Sequence, residues 1–266
     1  MESNINETFI DEKITKMPNG LTHQEIEYFN KNGWVGSFPL LTDYGVEKAT
    51  IIHHQSSERF RSAGRTVFSF INKPWYKSMH ISIKEYRDIV SHPFIVEKVA
   101  SLLGDNIIAW GTTSLGRLPG EKKRWHVDIE HKYWKGVSVF LGLKGASKLS
   151  SLKVVTGSHL LNDMPQSLHI NEDDKALAFC KQTIPDCEVV NVELNEGEFF
   201  LFDGTVWHAS ENKSGTERIG MLIQYSTPDQ KVRIPRNFDE PIRWHPIRPT
   251  CLLVKGADKY KINRLK

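Results

Sequence analysis

The sequence predicts a mainly β protein with flanking helices, its strands folded into a double-sheet jelly roll. Three observations carry that expectation. Short apolar runs bounded by turn residues recur at 107–111, 136–143, 152–155, 188–194 and 198–202, and again around His126 and His208. Helical patterns, by contrast, concentrate before residue 104. The length, 266 residues, suits one large β domain with extensions.

The elements follow in order. Residues 1–20 are polar and end in Pro18-Asn-Gly20, a turn signal, so they are expected as a flexible leader before a single domain over 21–266. Thr22 is placed to cap a helix, and Glu25 completes a capping box. Leu21 and Ile26 can staple across it, and Gly33 closes it. Residues 34–41 read as extended and 46–56 as a second helix, with a polar loop after it. His53 and His54 are expected on that helix's surface, and Trp75 and His80 in packing. Ser82 and Glu85 suggest another capping box, for a helix reaching Val90. Pro93 suits a new first turn, and an Ile95, Val99, Leu102 stripe runs on to Gly104. Residues 136–143 alternate like a half-buried strand. Residues 162–186 are polar with short helical fragments and read as an insertion or a lid-like excursion; the proline-rich stretch 228–249 reads as a wrapping tail.

Composition narrows the function classes. Apolar residues at 39% and charged residues at 25% are ordinary for a water-soluble globular protein. A net charge of +3 is too small to imply nucleic acid. No apolar run approaches a membrane span, and the N-terminus lacks the basic start and apolar block of a secretory signal. The three cysteines (Cys180, Cys187, Cys251) have no metal spacing, and free thiols in a reducing cytoplasm are the simpler reading.

The chemistry gathers at Arg-Trp-His-Val-Asp, 124–128, and at Trp207-His208. On a strand, residues two apart share a face, so His126 and Asp128 project together. With His208 they make two imidazoles and a carboxylate, which can hold a metal while leaving positions open, as non-haem Fe(II) sites do. Trp125 and Trp207 then point away, into packing layers. If Lys213-Ser-Gly215 closes a hairpin, Asn212 pairs with Thr216 and Ser210 faces Arg218. Arg218 would share His208's face, about 7 Å along, where a guanidinium can grip a dicarboxylate. Plainer readings stand beside these: a mutually satisfied His126–Asp128 pair, a core His208, and an Arg218 paired with Glu217 or Glu211.

Taken with Leu21–Trp34, Leu102-Leu-Gly-Asp105, Pro119-Gly120, Gly157-Ser-His159 and Gly197–Asp203, these residues make most of the chain resemble a known family. It is similar to the phytanoyl-CoA dioxygenase-like branch of the Fe(II)/2-oxoglutarate oxygenases. The resemblance implies a double-stranded β-helix, the jelly-roll or cupin-like fold. It implies Fe(II) on His126, Asp128 and His208, and 2-oxoglutarate held by the metal and Arg218 with help from Ser210. O2 would be the other co-substrate, and a small molecule would be hydroxylated with release of succinate and CO2. Related halogenases replace the carboxylate ligand with a small residue, so Asp128 implies oxidation without halide. His131 and Trp134, just past the metal strand, are candidate substrate contacts, with a folded-over loop as the alternative. His159 matches a structural turn, and Thr112 and Thr113 lie near the cofactor site without an assigned role. Three rivals remain: a cupin-like metal enzyme without 2-oxoglutarate, a non-catalytic metal-binding barrel, and an oxygenase acting on a macromolecule. The basic tail (Lys231, Arg233, Arg236, Arg243, Arg248) keeps the last in view.

Overall fold

In the computed structural model, which describes residues 8–62, 77–129, 135–161, 163–233 and 248–266, the apolar runs assemble into two facing sheets. Among the described residues the larger has seven strands: β1 (Trp34–Pro39), β7 (Glu198–Asp203), β4 (Val137–Gly142), β9 (Arg218–Ser226), β2 (Ile107–Arg117), β10 (Thr250–Lys255) and β11 (Arg264–Leu265), in that spatial order. The smaller has four: β3 (Lys122–His126), β8 (His208–Glu211), β5 (Leu152–Val155) and β6 (Val189–Val192). Pairing is antiparallel except between β10 and β11. This is the predicted jelly-roll architecture.

Each face of the large sheet has its own cover. Val137, Val139 and Leu141 pack with the helices, while Phe140 packs with Leu152 and Val154 of the small sheet. β4 is therefore buried on both faces, not half-buried as its alternation suggested. Alternation sorted its side chains correctly, but the second sheet removes the solvent.

The helices show which local signals hold. Helix α1 (His23–Asn32) has the full Thr22–Glu25 capping box and ends at Gly33, whose φ of 82° suits glycine. Helix α2 (Asp43–Ser62) runs past the expected end at residue 56, since no glycine or proline follows Gly45 within it. His53 is buried on it, its Nδ1 2.6 Å from Ser114 Oγ, and only His54 is exposed. Ser82 does not cap. It ends the short α3 (Met79–Ser82), and α4 (Lys84–Val90) starts after Ile83. Helix α5 (Pro93–Leu103) begins at its proline and stops at Gly104, as predicted.

Residues 8–20 are not a loose leader. Ile14 is buried in the core, and the buried Lys98 ammonium reaches the carbonyls of Pro18, Asn19 and Gly20. An ammonium out of water needs such acceptors, and this one ties the segment to α5. Residues 1–7 and 234–247, with Trp75, lie outside the described residues. No helix among the described residues is long and apolar enough to cross a membrane.

Candidate metal centre

Alternation puts Trp125, Trp207 and Ala209 on the outer face of the small sheet, in a cluster with Cys180 and Phe179. The intervening histidines turn inward. His126 and His208 are register partners across β3 and β8, with ring centroids 4.1 Å apart. Each Nδ1 lies within hydrogen-bond reach of a backbone carbonyl: Arg124 O at 2.8 Å for His126 and Val206 O at 3.0 Å for His208. A neutral ring donating there keeps its Nε2 lone pair for a metal.

Asp128 completes the cluster from an unexpected place. β3 ends at His126, and Asp128 sits in a bend beyond it, not on the strand. Its Oδ1 is 3.6 Å from His208 Nε2, and ligand atoms of all three residues lie within 4.8 Å of one another. Burial opposes its charge, but His208, His126 and the Ser138 hydroxyl outweigh that and hold the carboxyl well below its ordinary range. Burial, with His208 beside it, pushes His126 well down and keeps it neutral. Two imidazole nitrogens and one carboxylate oxygen suit a divalent metal of the Fe(II) kind.

Two side chains hold this bend, and the sequence reading missed both. Ser138 Oγ, on β4, donates to Asp128 Oδ2 at 2.7 Å. Gln166 Oε1 accepts from Val127 N–H at 3.1 Å, satisfying the peptide between the ligands. A serine amid the apolar residues of β4 was a faint signal for the first; nothing local marked the second. Gln166 also corrects the lid-like reading of 162–186. The described part of that segment packs behind the metal strands. Trp125 Nε1 donates to Asp173, at the start of α6 (Asp173–Lys181), and Trp207 Nε1 donates to Asp163 O.

Arg218 is buried, but the expected hairpin does not form. Ser210 pairs with Lys123 and Leu152 in the small sheet, and Arg218 pairs with Arg117 in the large one. The chain crosses between sheets at 212–217, where Asn212 Nδ2 donates to the carbonyls of Thr216 and Arg117. Arg218 and His208 thus belong to opposite sheets. Arg218 and Leu152, the register partner of Ser210, line one small space. The guanidinium lies 5.2 Å from the Phe140 ring centroid, and its Nε has no hydrogen-bond partner. Burial and the nearby Arg117 push its pKa down to about 10, which leaves it charged at neutral pH. Glu211 pairs instead with Lys122 and Lys213.

Aromatic rings link the histidine cluster to Arg218. From His208 the chain of contacts runs to Phe202 (4.9 Å), Phe200 (5.4 Å), Phe140 (6.2 Å) and then Arg218. Across the large sheet, Phe202, Ser138, Gln224 and Gly111 are successive register partners and form a row beside the metal cluster. Thr113 pairs with Leu222 on that inner face, while Thr112 pairs with Ile223 of the helix-side core. His159 Nε2 contacts Asn30 O at 3.0 Å. His80 is fully buried. His131 and Trp134 lie outside the described residues.

Comparison with known proteins adds a family to this geometry. No curated protein matches the sequence. Among solved structures, CytC3 with Fe(II) and alpha-ketoglutarate superposes with a TM-score of 0.67 at 18% identity, covering 93% of each chain. The Ni complex of the non-haem monooxygenase ThoJ gives 0.64 at 22%, covering 91% of this chain and 87% of that one. The non-haem alpha-ketoglutarate-dependent carbocyclase SnoK, from nogalamycin biosynthesis, gives 0.62 at 18%, covering 86% and 93%. At these identities the likeness establishes the fold. The phytanoyl-CoA dioxygenase family model matches residues 29–220, a span holding the histidine pair, Asp128 and Arg218, and the chain belongs to that family.

Proposed function

We propose that the protein is an Fe(II)- and 2-oxoglutarate-dependent dioxygenase that hydroxylates an unactivated C–H bond of a small molecule, releasing succinate and CO2. One observation carries this reading. A two-histidine, one-carboxylate cluster and a buried guanidinium with an unpartnered Nε face one interior, joined by an aromatic wall. A buried cation without an anion is costly, and a dicarboxylate reaching from metal to arginine would satisfy it. Family membership and the alpha-ketoglutarate described for CytC3 and SnoK support the same co-substrate.

The residues then have distinct tasks. His126, Asp128 and His208 hold the metal, and the carbonyls behind the two rings fix their orientation. Arg218 takes the distal carboxylate of the keto acid, with Ser210 beside it on the facing sheet. Phe202, Phe200 and Phe140 keep water from the space between. Iron held by these three residues would supply the oxidising chemistry. Asp128 occupies the ligand position that a halide would need, which favours hydroxylation.

The test is anaerobic. Fe(II) and 2-oxoglutarate added to the apoprotein should give the weak visible charge-transfer band of the chelate. The band should disappear in Asp128→Ala and fade strongly in Arg218→Ala. Stoichiometric metal binding without a band would overturn the reading and favour a cupin-like enzyme or a non-catalytic metal site. With the band in hand, succinate release identifies substrates.

A further inference from the structure

We infer that Ser138 is a positioning residue that makes Asp128 bind metal through one oxygen only. The inference rests on the metal site proposed above. Asp128 lies beyond the last residue of β3, so no strand ladder fixes its carboxylate. Its flanking peptides are held from elsewhere: Val127 N–H by Gln166 and Ile129 N–H by Gly204 O. The carboxylate itself is held by Ser138, which is fully buried on β4 in the large sheet. The hydroxyl donates to Oδ2 at 2.7 Å, while Oδ1 lies 3.6 Å from His208 Nε2.

The two oxygens are therefore unequal. Oδ2 is engaged by a donor from the opposite sheet, and Oδ1 faces the imidazoles. A carboxylate free to rotate can close on a metal with both oxygens, taking a position that a keto acid and O2 require. One hydroxyl, fixed to a central strand between Phe202 and Gln224 in the cross-sheet row, prevents that rotation. The same bond ties a ligand borne by the small sheet's connection to the large sheet.

The experiment uses the full chain and Co(II), whose visible absorption reports coordination number without turnover. Wild type, Ser138→Ala and Ser138→Thr are titrated with Co(II), and the melting temperature of each apoprotein is measured. Loss of such an outer contact typically weakens metal binding 10–100-fold. We expect Ser138→Ala to bind Co(II) at least about 10-fold more weakly, with a weaker d–d band as coordination rises. Its apoprotein should melt near wild type, and threonine should restore the band. Wild-type affinity and an unchanged spectrum in Ser138→Ala would overturn the role of Ser138 while leaving the metal site standing. Weaker binding with an unchanged spectrum and a lowered apo melting temperature would place Ser138 in packing alone, which also overturns it. No Co(II) binding by wild type would overturn the metal site itself.

Discussion

Arg218 carries its charge where water is largely excluded, and that placement gives its substitution opposite effects on stability and binding. Replacing an unpaired buried cation by an apolar side chain of similar length is commonly neutral or stabilising. Arg218→Met should therefore leave the apoprotein's melting temperature unchanged or higher. It should also weaken 2-oxoglutarate binding by roughly 30-fold or more, the scale of a lost charge-assisted contact; calorimetric titration and thermal melts of the same preparation check both. His80 gives a pH prediction. Burial, with Arg87 nearby, lowers its pKa from 6.5 to about 4. The unfolded chain therefore binds a proton between those values that the folded chain refuses, and stability falls as pH falls through that window. The slope approaches about 1.4 kcal/mol per pH unit. Denaturant unfolding at pH 7 and pH 5 should show the loss, and His80→Phe should reduce it. At this scale the sequence was readable where chemistry is uncommon: His126 two residues before Asp128, His208 beside Trp207, and Arg218 at the head of an apolar strand. Ser138 and Gln166 did not, because a serine or glutamine acquires meaning only from the atom across the fold that it touches.

At the scale of elements, the local signals that held were those with a complete mechanism of their own. The Thr22–Glu25 box and Gly33 settle both ends of α1 without outside help. The Ser82–Glu85 pattern was equally good on paper, yet Ser82 ends α3 in the structure. The loop at 212–217 failed for a similar reason. Its sequence suits a hairpin, but Ser210 and Arg218 find partners in different sheets, and those ladders outweigh a local turn. The segment 163–186 acts as a buttress through Asp163, Gln166 and Asp173. Gln166→Ala removes the acceptor for the peptide between His126 and Asp128, leaving a buried N–H unsatisfied. We expect a loss of about 1–3 kcal/mol in stability, and weaker metal binding with it. A variant matching wild type in both chemical denaturation and metal titration would show that the segment only covers the strands.

At the scale of the whole molecule, the proposed site draws on both sheets. The histidines come from the small sheet, while Ser138 and Arg218 stand on the large one. Strand existence was legible from apolar runs, but membership of a sheet was not, because it depends on pairings between distant residues such as His126 with His208. We propose that the described residues behave as one cooperative unit, since the early segment packs on the large sheet and the C-terminal strands belong to it. Calorimetry of the apoprotein should then show a single transition. A metal and a keto acid that bridge the sheets should raise it, by roughly 5–10 °C at a hundredfold excess over the dissociation constant. Two separate transitions would divide the chain and refute that unity.

Gly220 is the quiet partner in this arrangement. A Cβ there would stand 2.2 Å from Phe140 Cζ, so the bare backbone is what lets the ring lie across β9 toward Arg218. The ring lies between Arg218 and the Phe200–Phe202 pair that leads to His208, so it borders the space proposed for the keto acid. Oxaloacetate and 2-oxoadipate, one carbon shorter and longer than 2-oxoglutarate, should then bind more weakly, which calorimetric titration checks. Selectivity among co-substrates would then be set by a residue with no side chain.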